Sequence, residues 1–230
     1  TVRVLEEAGR REKVFTCDFL FGCTGYYNYD AGFTPALPGL DKFGGDVIHP
    51  QHWPANYDYS GKRVVVIGSG ATAVTLVPAL TDRAAHVTML QRSPTYVATV
   101  PAQDLISEGL RRFLPEMVVY RMARTRNILL QRAVFNFSIR RPKAMRRLLL
   151  AAARRQLGSR FDMRHFQPRY NPWEERMCAV PRGDLFKVLR EGKASVVTDR
   201  IRSITRKGIE LASGERLEAD VIVTATGLDL

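Results

Sequence analysis

The chain has 230 residues, enough for one large domain or two small ones, and at 45% hydrophobic content it can bury a core. Its three cysteines, Cys17, Cys23 and Cys178, form no pair with metal-ligand spacing and fit a reducing cytoplasm. No apolar run reaches the roughly 18 residues of a membrane-spanning helix. The formal charge of +12 is concentrated: residues 105–170 hold 16 Lys and Arg against Glu108, Glu116 and Asp162, for a net +13, and the remainder carries −1. The basicity therefore belongs to one segment and not to the whole fold.

The opening, TVRVLEEAGRREKV, has neither an initiator Met nor a signal-peptide pattern. The last residues, VIVTATGLDL, end just past a strand-like run, so the expectation is an internal piece of a longer protein. Residues 2–7 and 13–21 alternate apolar and polar around Gly9-Arg10, which predicts a β-hairpin. Its second strand leaves through Cys23-Thr24-Gly25, either a simple strand exit or a place where backbone passes close to a bulky group.

Residues 26–60 are rich in Pro, Gly and aromatic residues and predict an ordered linker with little regular structure. Within it, His49 and His52 stand beside Trp53. No cysteine or carboxylate is suitably spaced to complete a metal site, so a packed, hydrogen-bonded histidine is expected and no metal.

Residues 63–92 carry the strongest signal. Val64, Val65, Val66 and Ile67 predict a strand buried on both faces. It runs into Gly68-Ser69-Gly70-Ala71-Thr72-Ala73, a GxGxxA turn, then a helix, then a second strand over His86–Leu90. Strand, glycine turn, helix and strand within about 30 residues form a dinucleotide-binding unit. Gly68 permits the turn, Gly70 lets a pyrophosphate approach the backbone, and Ala73 lets the helix pack close. The helix start offers unpaired N–H groups to the phosphates. Pro78 should kink the helix or end its regular part early.

A site selective for NAD usually places Asp or Glu at the end of the second strand. Here Gln91, Arg92 and Ser93 stand there. With no carboxylate to repel a 2′-phosphate and a guanidinium to pair with it, NADP(H) is expected over NAD(H); a solvated surface role for Arg92 is the alternative.

The arginine-rich segment 105–170 predicts helices over 116–140 and over 142–157, the second bracketed by Pro142 and Gly158. Met145, Leu148, Leu149 and Ala152 are expected on its apolar face. Such helices either pack on a domain or lie on an anionic membrane. No nucleic-acid-binding module surrounds the charge. Residues 171–190 lead back to the sheet, with strands over 194–198 and 201–204 and a hairpin around Ser213-Gly214. A buried strand over 219–224 then leaves through Ala225-Thr226-Gly227.

From Phe43 to Trp53 the sequence FGGDVIHPQHW matches F-x-G-x-x-x-H-x-x-x-W at every fixed position. With GxGxxA, Pro78, Gln91-Arg92-Ser93-Pro94 and Ala225-Thr226-Gly227, the chain resembles Baeyer–Villiger and related flavin-containing monooxygenases. HPQHWP, TMLQRSPTYV and YNPWEERMCAVPRGDLF look closest to the ethionamide-activating type. The resemblance implies an α/β architecture: a Rossmann-like NADP-binding domain with a helical insertion, flanked by strands of an incomplete FAD-binding domain. It divides the chain into 1–25 (FAD-domain strands), 26–60 (fingerprint linker), 61–205 (NADP-binding domain, with 105–170 inserted) and 206–230 (return strands).

It further implies that NADPH reduces FAD. A flavin C4a-peroxide formed with O2 then inserts one oxygen into a ketone or places it on the sulfur of a thioether or thioamide. Gly68, Ser69, Gly70, Ala71 and Thr72 would meet the pyrophosphate, and Arg92 and Ser93 the 2′-phosphate. Gly25, Thr226 and Gly227 would border cofactor. His49 and Trp53 would couple domain movement to catalysis, and Arg176 would be the active-site cation, with Arg182 its rival. Two residues depart from the family pattern: Glu175 where Lys is frequent, and Thr75 where Gln is common. An N- or S-hydroxylating flavin enzyme and a catalytically inactive NADP-binding module are the alternatives.

Overall fold

The computed structural model describes residues 1–5 and 11–229. In chain order the elements are β1 (Val2–Leu5), β2 (Glu12–Phe15), β3 (Asp46–Ile48), β4 (Arg63–Ile67), α1 (Ala71–Leu80), β5 (His86–Gln91) and β6 (Tyr96–Val100). Then come α2 (Leu105–Leu110), α3 (Glu116–Arg140), α4 (Pro142–Leu157), β7 (Met177–Pro181), α5 (Asp184–Arg190) and β8 (Ala194–Thr198). The chain closes with β9 (Ile201–Thr205), β10 (Gly208–Leu211), β11 (Arg216–Glu218) and β12 (Val221–Thr224).

The centre is a five-stranded parallel sheet in the order β3-β12-β4-β5-β8. Strand alternation decides which layer each residue enters. Val64, Val66, Val221 and Val223 face one way, into a core shared with Val74 and Val77 of α1 and Leu185 and Leu189 of α5. Val65, Ile67 and Ile222 face the other way, where Ile204, Ile209 and Leu211 of the β9–β11 sheet cover them. Both faces of β4 and β12 are thus dry, which is why their sequences are unbroken apolar runs. Each such buried side chain contributes about 1.5–3 kcal/mol relative to exposure.

The helical segment forms as its sequence suggests. α4 begins at Pro142, and the Gly158 N–H closes its end on the Arg154 carbonyl at 2.9 Å. Its buried face, however, is rotated from the expected one: Ala153 and Leu157 are buried, while Leu148 and Ala152 are exposed. Arg146 explains the rotation. Its Nη1 donates to the Tyr96 hydroxyl at 2.8 Å and the Tyr170 carbonyl at 3.3 Å, and this anchors α4 to β6 through a charged side chain. No helix among the described residues is long and apolar enough to cross a membrane.

Three expectations are revised. The hairpin pairs β1 with β2 from Val2↔Phe15 to Leu5↔Glu12, and its Gly9-Arg10 turn lies outside the described residues. The strand expected to run to residue 21 ends at Phe15; Phe19 and Phe21 beyond it are 78% and 77% exposed and find no strand partner among the described residues. Second, β12, which the resemblance placed among the return strands of an outer domain, is hydrogen-bonded between β3 and β4 in the central parallel sheet. Third, the linker is partly regular, since β3 forms the edge of that same sheet. Pro78 lies inside α1, which ends two residues later at Leu80.

Candidate functional site

The carboxyl ends of β4, β5, β8 and β12 open into one cleft of about 830 Å³. Gly68, Ser69, Gly70, Arg92, Ser93, Arg176, Asp199, Arg200 and Thr226 all line it. Seven of these nine were expected to be cofactor-facing or catalytic. Asp199 and Arg200 were not.

The glycine turn is fixed from several sides. Gly68 has φ +137°, and a Cβ there would lie 2.3 Å from the Ala225 carbonyl oxygen at the exit of β12. Only glycine allows β12 so close. The Gly68 N–H donates to the Leu90 carbonyl at 2.8 Å. The Ser69 hydroxyl lies 3.1 Å from the Thr95 hydroxyl and 3.4 Å from the Ser93 carbonyl, tying the turn to the loop that carries Arg92. From the opposite side, the Cys178 thiol lies 3.6 Å from the Ser69 carbonyl; burial pushes the thiol's pKa up, so it stays protonated and can donate. Gly70 caps α1 with extended backbone, and fully buried Ala73 lets the helix pack against the sheet. The first-turn N–H groups of α1 thereby point towards the cleft.

Arg176 reaches this turn from β7. Its Nη1 lies 3.8 Å from the point where a Gly70 Cβ would be, so the space above Gly70 is bounded by a cation. Met177 pairs with Tyr96, which places Arg176 beside Thr95 and the Arg92 loop. The Tyr170 hydroxyl donates to the Arg176 carbonyl at 2.8 Å, the buried Tyr96 hydroxyl donates to the Tyr170 carbonyl at 2.8 Å, and Arg146 closes the network. Arg182, the rival, follows the far end of β7. Across the strand the two arginines stand roughly 20 Å apart at about 3.3 Å per residue. Arg182 does not line the cleft.

Arg92, Arg176 and Arg200 have no carboxylate within 4 Å among the described residues. Three unpaired guanidinium groups around one cleft are matched by a ligand bearing several negative charges. Asp199, which also lines the cleft, offsets one of these charges and leaves the site net positive. The Ser213 side chain and the backbone N–H groups of Arg200 at 2.7 Å and Ser213 at 3.1 Å hydrogen-bond to its carboxylate and hold it below the usual range, so it stays ionised.

The remaining candidates lie elsewhere. His49 borders a smaller cleft of about 210 Å³ with Gln51, Thr72, Gly227 and Leu228. Its Nδ1 accepts from the Gln51 N–H at 3.2 Å, which leaves Nε2–H to donate to the Gly227 carbonyl at 3.0 Å. The ring fits because Gly32 has no Cβ; one would sit 1.9 Å from the ring's Cε1. Trp53 lines neither cleft and packs edge-on against Tyr57 and Tyr59 at 6.1 and 6.2 Å. Ala71 opens α1, and Gly25 is exposed outside both clefts. No group of three or more His, Cys, Asp or Glu among the described residues could hold a metal ion.

A parallel sheet whose strand ends carry a glycine turn and, among the described residues, guanidinium groups without a carboxylate partner has the shape and charge that suit a dinucleotide. The family model for flavin-binding monooxygenase-like proteins matches residues 2–229, and the chain belongs to that family. It is 59% identical to MymA of Mycobacterium tuberculosis, named as an FAD-containing monooxygenase, over 100% of this chain and 47% of MymA. It is 55% identical to the FAD-containing monooxygenase EthA of the same organism, over 94% of this chain and 44% of EthA. Among solved structures, the ε-caprolactone-bound form of cyclohexanone monooxygenase superposes with a TM-score of 0.66 at 24% identity, over 86% of this chain and 46% of that one. The chain thus spans less than half the length of the relatives it matches.

Proposed function

We propose that the full-length protein is an NADPH- and FAD-dependent monooxygenase of the Baeyer–Villiger kind, with this chain as its NADP-binding portion. It uses O2 to insert one oxygen beside a ketone carbonyl, or to place it on the sulfur of a thioether or thioamide. The observation that carries this reading is a single arrangement. A glycine turn and an unpaired Arg92 share one cleft, and the fingerprint residue His49 bonds Gly227 just beyond the strand exit that borders it.

The residues present fit NADP. Gly70 leaves room above the turn for a pyrophosphate, and the N–H groups at the start of α1 meet it. Arg176 stands across the turn as a counter-charge, and Arg92 and Ser93 lie at the end of β5, where the ribose 2′ position belongs. When bound, NADPH supplies the hydride. The chain's own part is to hold the dinucleotide along the sheet edge and to fix the distance between its phosphates through Ser69, which links the two loops.

The described residues do not enclose a flavin. The smaller cleft, about 210 Å³, is below the roughly 300–1,000 Å³ of ordinary ligand sites. Gly227 and Leu228 offer one wall, and the rest of the flavin site belongs to the longer polypeptide.

Incubating the full-length gene product with NADPH, FAD and a test ketone in air decides between readings. Ester formation supports the Baeyer–Villiger assignment. Oxygenation of sulfur or nitrogen without ester supports the hydroxylating alternative. NADPH binding without flavin reduction supports an inactive module.

A second reading concerns α3. Only Val119 and Ser138 of its 25 residues are buried, and Met117, Leu129, Leu130, Phe135 and Ile139 are exposed among arginines. We infer peripheral contact of this helix with an anionic bilayer. Salt-sensitive sedimentation with anionic vesicles, and none with neutral ones, is the expected result; equal sedimentation with both contradicts it.

A further inference from the structure

We infer that Arg200 is a second reader of the 2′-phosphate, placed beside Arg92 by the pairing of β8 with β5. This rests on the dinucleotide reading of the cleft and goes beyond it by naming a specificity residue that lies over 100 positions from the glycine turn.

The geometry begins with the strand ends. Gln91 pairs with Thr198, and the Asp199 N–H donates to the Gln91 carbonyl at 2.9 Å, so the ladder continues one residue further. The two chains then part, one into Arg92 and the other into Arg200. Neighbouring strands lie about 4.8 Å apart, so both arginines start from adjacent points on the sheet edge. Both line the same cleft.

The starting points are held rigidly. The buried Gln91 amide donates to the Thr198 hydroxyl at 2.8 Å and the His165 carbonyl at 2.7 Å. His165 Nδ1 lies 2.7 Å from the same hydroxyl. Beyond the strand, Asp199 grips the backbone N–H groups of Arg200 and Ser213, and the Ala212 N–H donates to the Arg200 carbonyl at 2.9 Å. The backbone on either side of Arg200 is therefore pinned, while its guanidinium has no carboxylate partner among the described residues. Glu175, the acid nearest Arg176 in sequence, is exposed and does not line the cleft.

Two cations leaving adjacent strands repel one another unless an anion lies between them. A phosphate monoester carries a charge of about −1.5 to −2 near neutral pH and offers three acceptor oxygens, enough for both guanidinium groups. The ribose 2′-hydroxyl of NAD offers no charge. The sheet order gives the same placement. With a pyrophosphate at the glycine turn after β4, the adenosine end of a dinucleotide would extend over β5 towards β8, the strand order that the sheet shows.

The test is calorimetric titration of the full-length protein with NADP⁺ and with NAD⁺, which differ only in the 2′-phosphate. Arg200→Ala should weaken NADP⁺ about 10- to 100-fold and leave NAD⁺ within about threefold. Arg200→Lys should fall between wild type and Ala, because it keeps the charge and loses the two-pronged contact. In the Arg92→Ala background, Arg200→Ala should cost less than it does alone. Equal losses for the two ligands, or no loss for either, overturn the inference. A wild-type protein that binds neither nucleotide overturns the dinucleotide reading itself, and this inference with it.

Discussion

Arg176 stands over the glycine turn, its Nη1 3.8 Å from where a side chain on Gly70 would begin. That puts its guanidinium at the turn after β4, whereas Arg92 follows the end of β5. Arg176→Ala should therefore weaken NADP⁺ and NAD⁺ alike, by about 10-fold or more, as expected for a lost charge-assisted contact. Competitive titration of both nucleotides against the variant checks this. A loss confined to NADP⁺ would move Arg176 to the 2′-phosphate.

Gly68→Ala tests the turn as structure. A Cβ would meet the Ala225 carbonyl oxygen at 2.3 Å, with φ at +137°. Strain and steric conflict together should destabilise the chain by about 2–4 kcal/mol. A denaturant melt should show a lower midpoint. Gly70→Ala, with ordinary φ and only Arg176 nearby, should melt like wild type yet bind NADP⁺ poorly. Similar melts for both variants would contradict the different roles given to the two glycines.

His49 joins the fingerprint linker to the chain beyond β12 through Gln51 and Gly227. His49→Ala removes both hydrogen bonds. Amide exchange should quicken at Gln51 and across 226–229, while NADP⁺ affinity of the chain changes by less than about threefold, since the ring does not line the larger cleft. Unchanged exchange would mean that His49 does not hold this junction.

Asp220 and Arg63 tie the start of β12 to the start of β4. The carboxylate accepts from Arg63 Nη2 at 2.8 Å, Nε at 3.0 Å and the Arg63 backbone N–H at 2.8 Å. These contacts lower its pKa to about 2. A depressed carboxylate pKa stabilises the fold above the unfolded value, roughly 3.9, and that stability is lost as pH falls from about 4 towards 2. The pair is partly exposed, so the contribution after solvent screening is about 0.5–1 kcal/mol. Denaturant midpoints of wild type and Asp220→Asn should differ at pH 6 and converge near pH 2. A constant gap would assign the effect to something other than this charge.

The glycine turn, α1 and β5 were legible because each is written in local periodicity and small-residue spacing. Pro142 and Gly158 marked the ends of α4 in the same way. Partner choice was not legible. β12 is an apolar run whose neighbours β3 and β4 are chosen by the chain's route, and nothing in Val221–Thr224 names them. Residues 16–21 look like a strand, yet backbone with no adjacent strand has nothing to pair with. The buried face of α4 differs from the expected one because Arg146, a charged residue, turns inward to Tyr96. Arg200 was missed for the first of these reasons: its value comes from β8 lying beside β5, a long-range fact. Its one local signal is an Asp-Arg pair directly after a parallel strand.

The central claim is that the cleft holds a dinucleotide with its 2′-phosphate at the end of β5. The most direct measurement compares NADPH and NADH binding to the full-length protein before and after Arg92→Ala. The expected result is a loss of about 1.5–3 kcal/mol for NADPH, roughly 10- to 150-fold, with NADH nearly unchanged. Equal losses for the two cofactors, or none for NADPH, would contradict it.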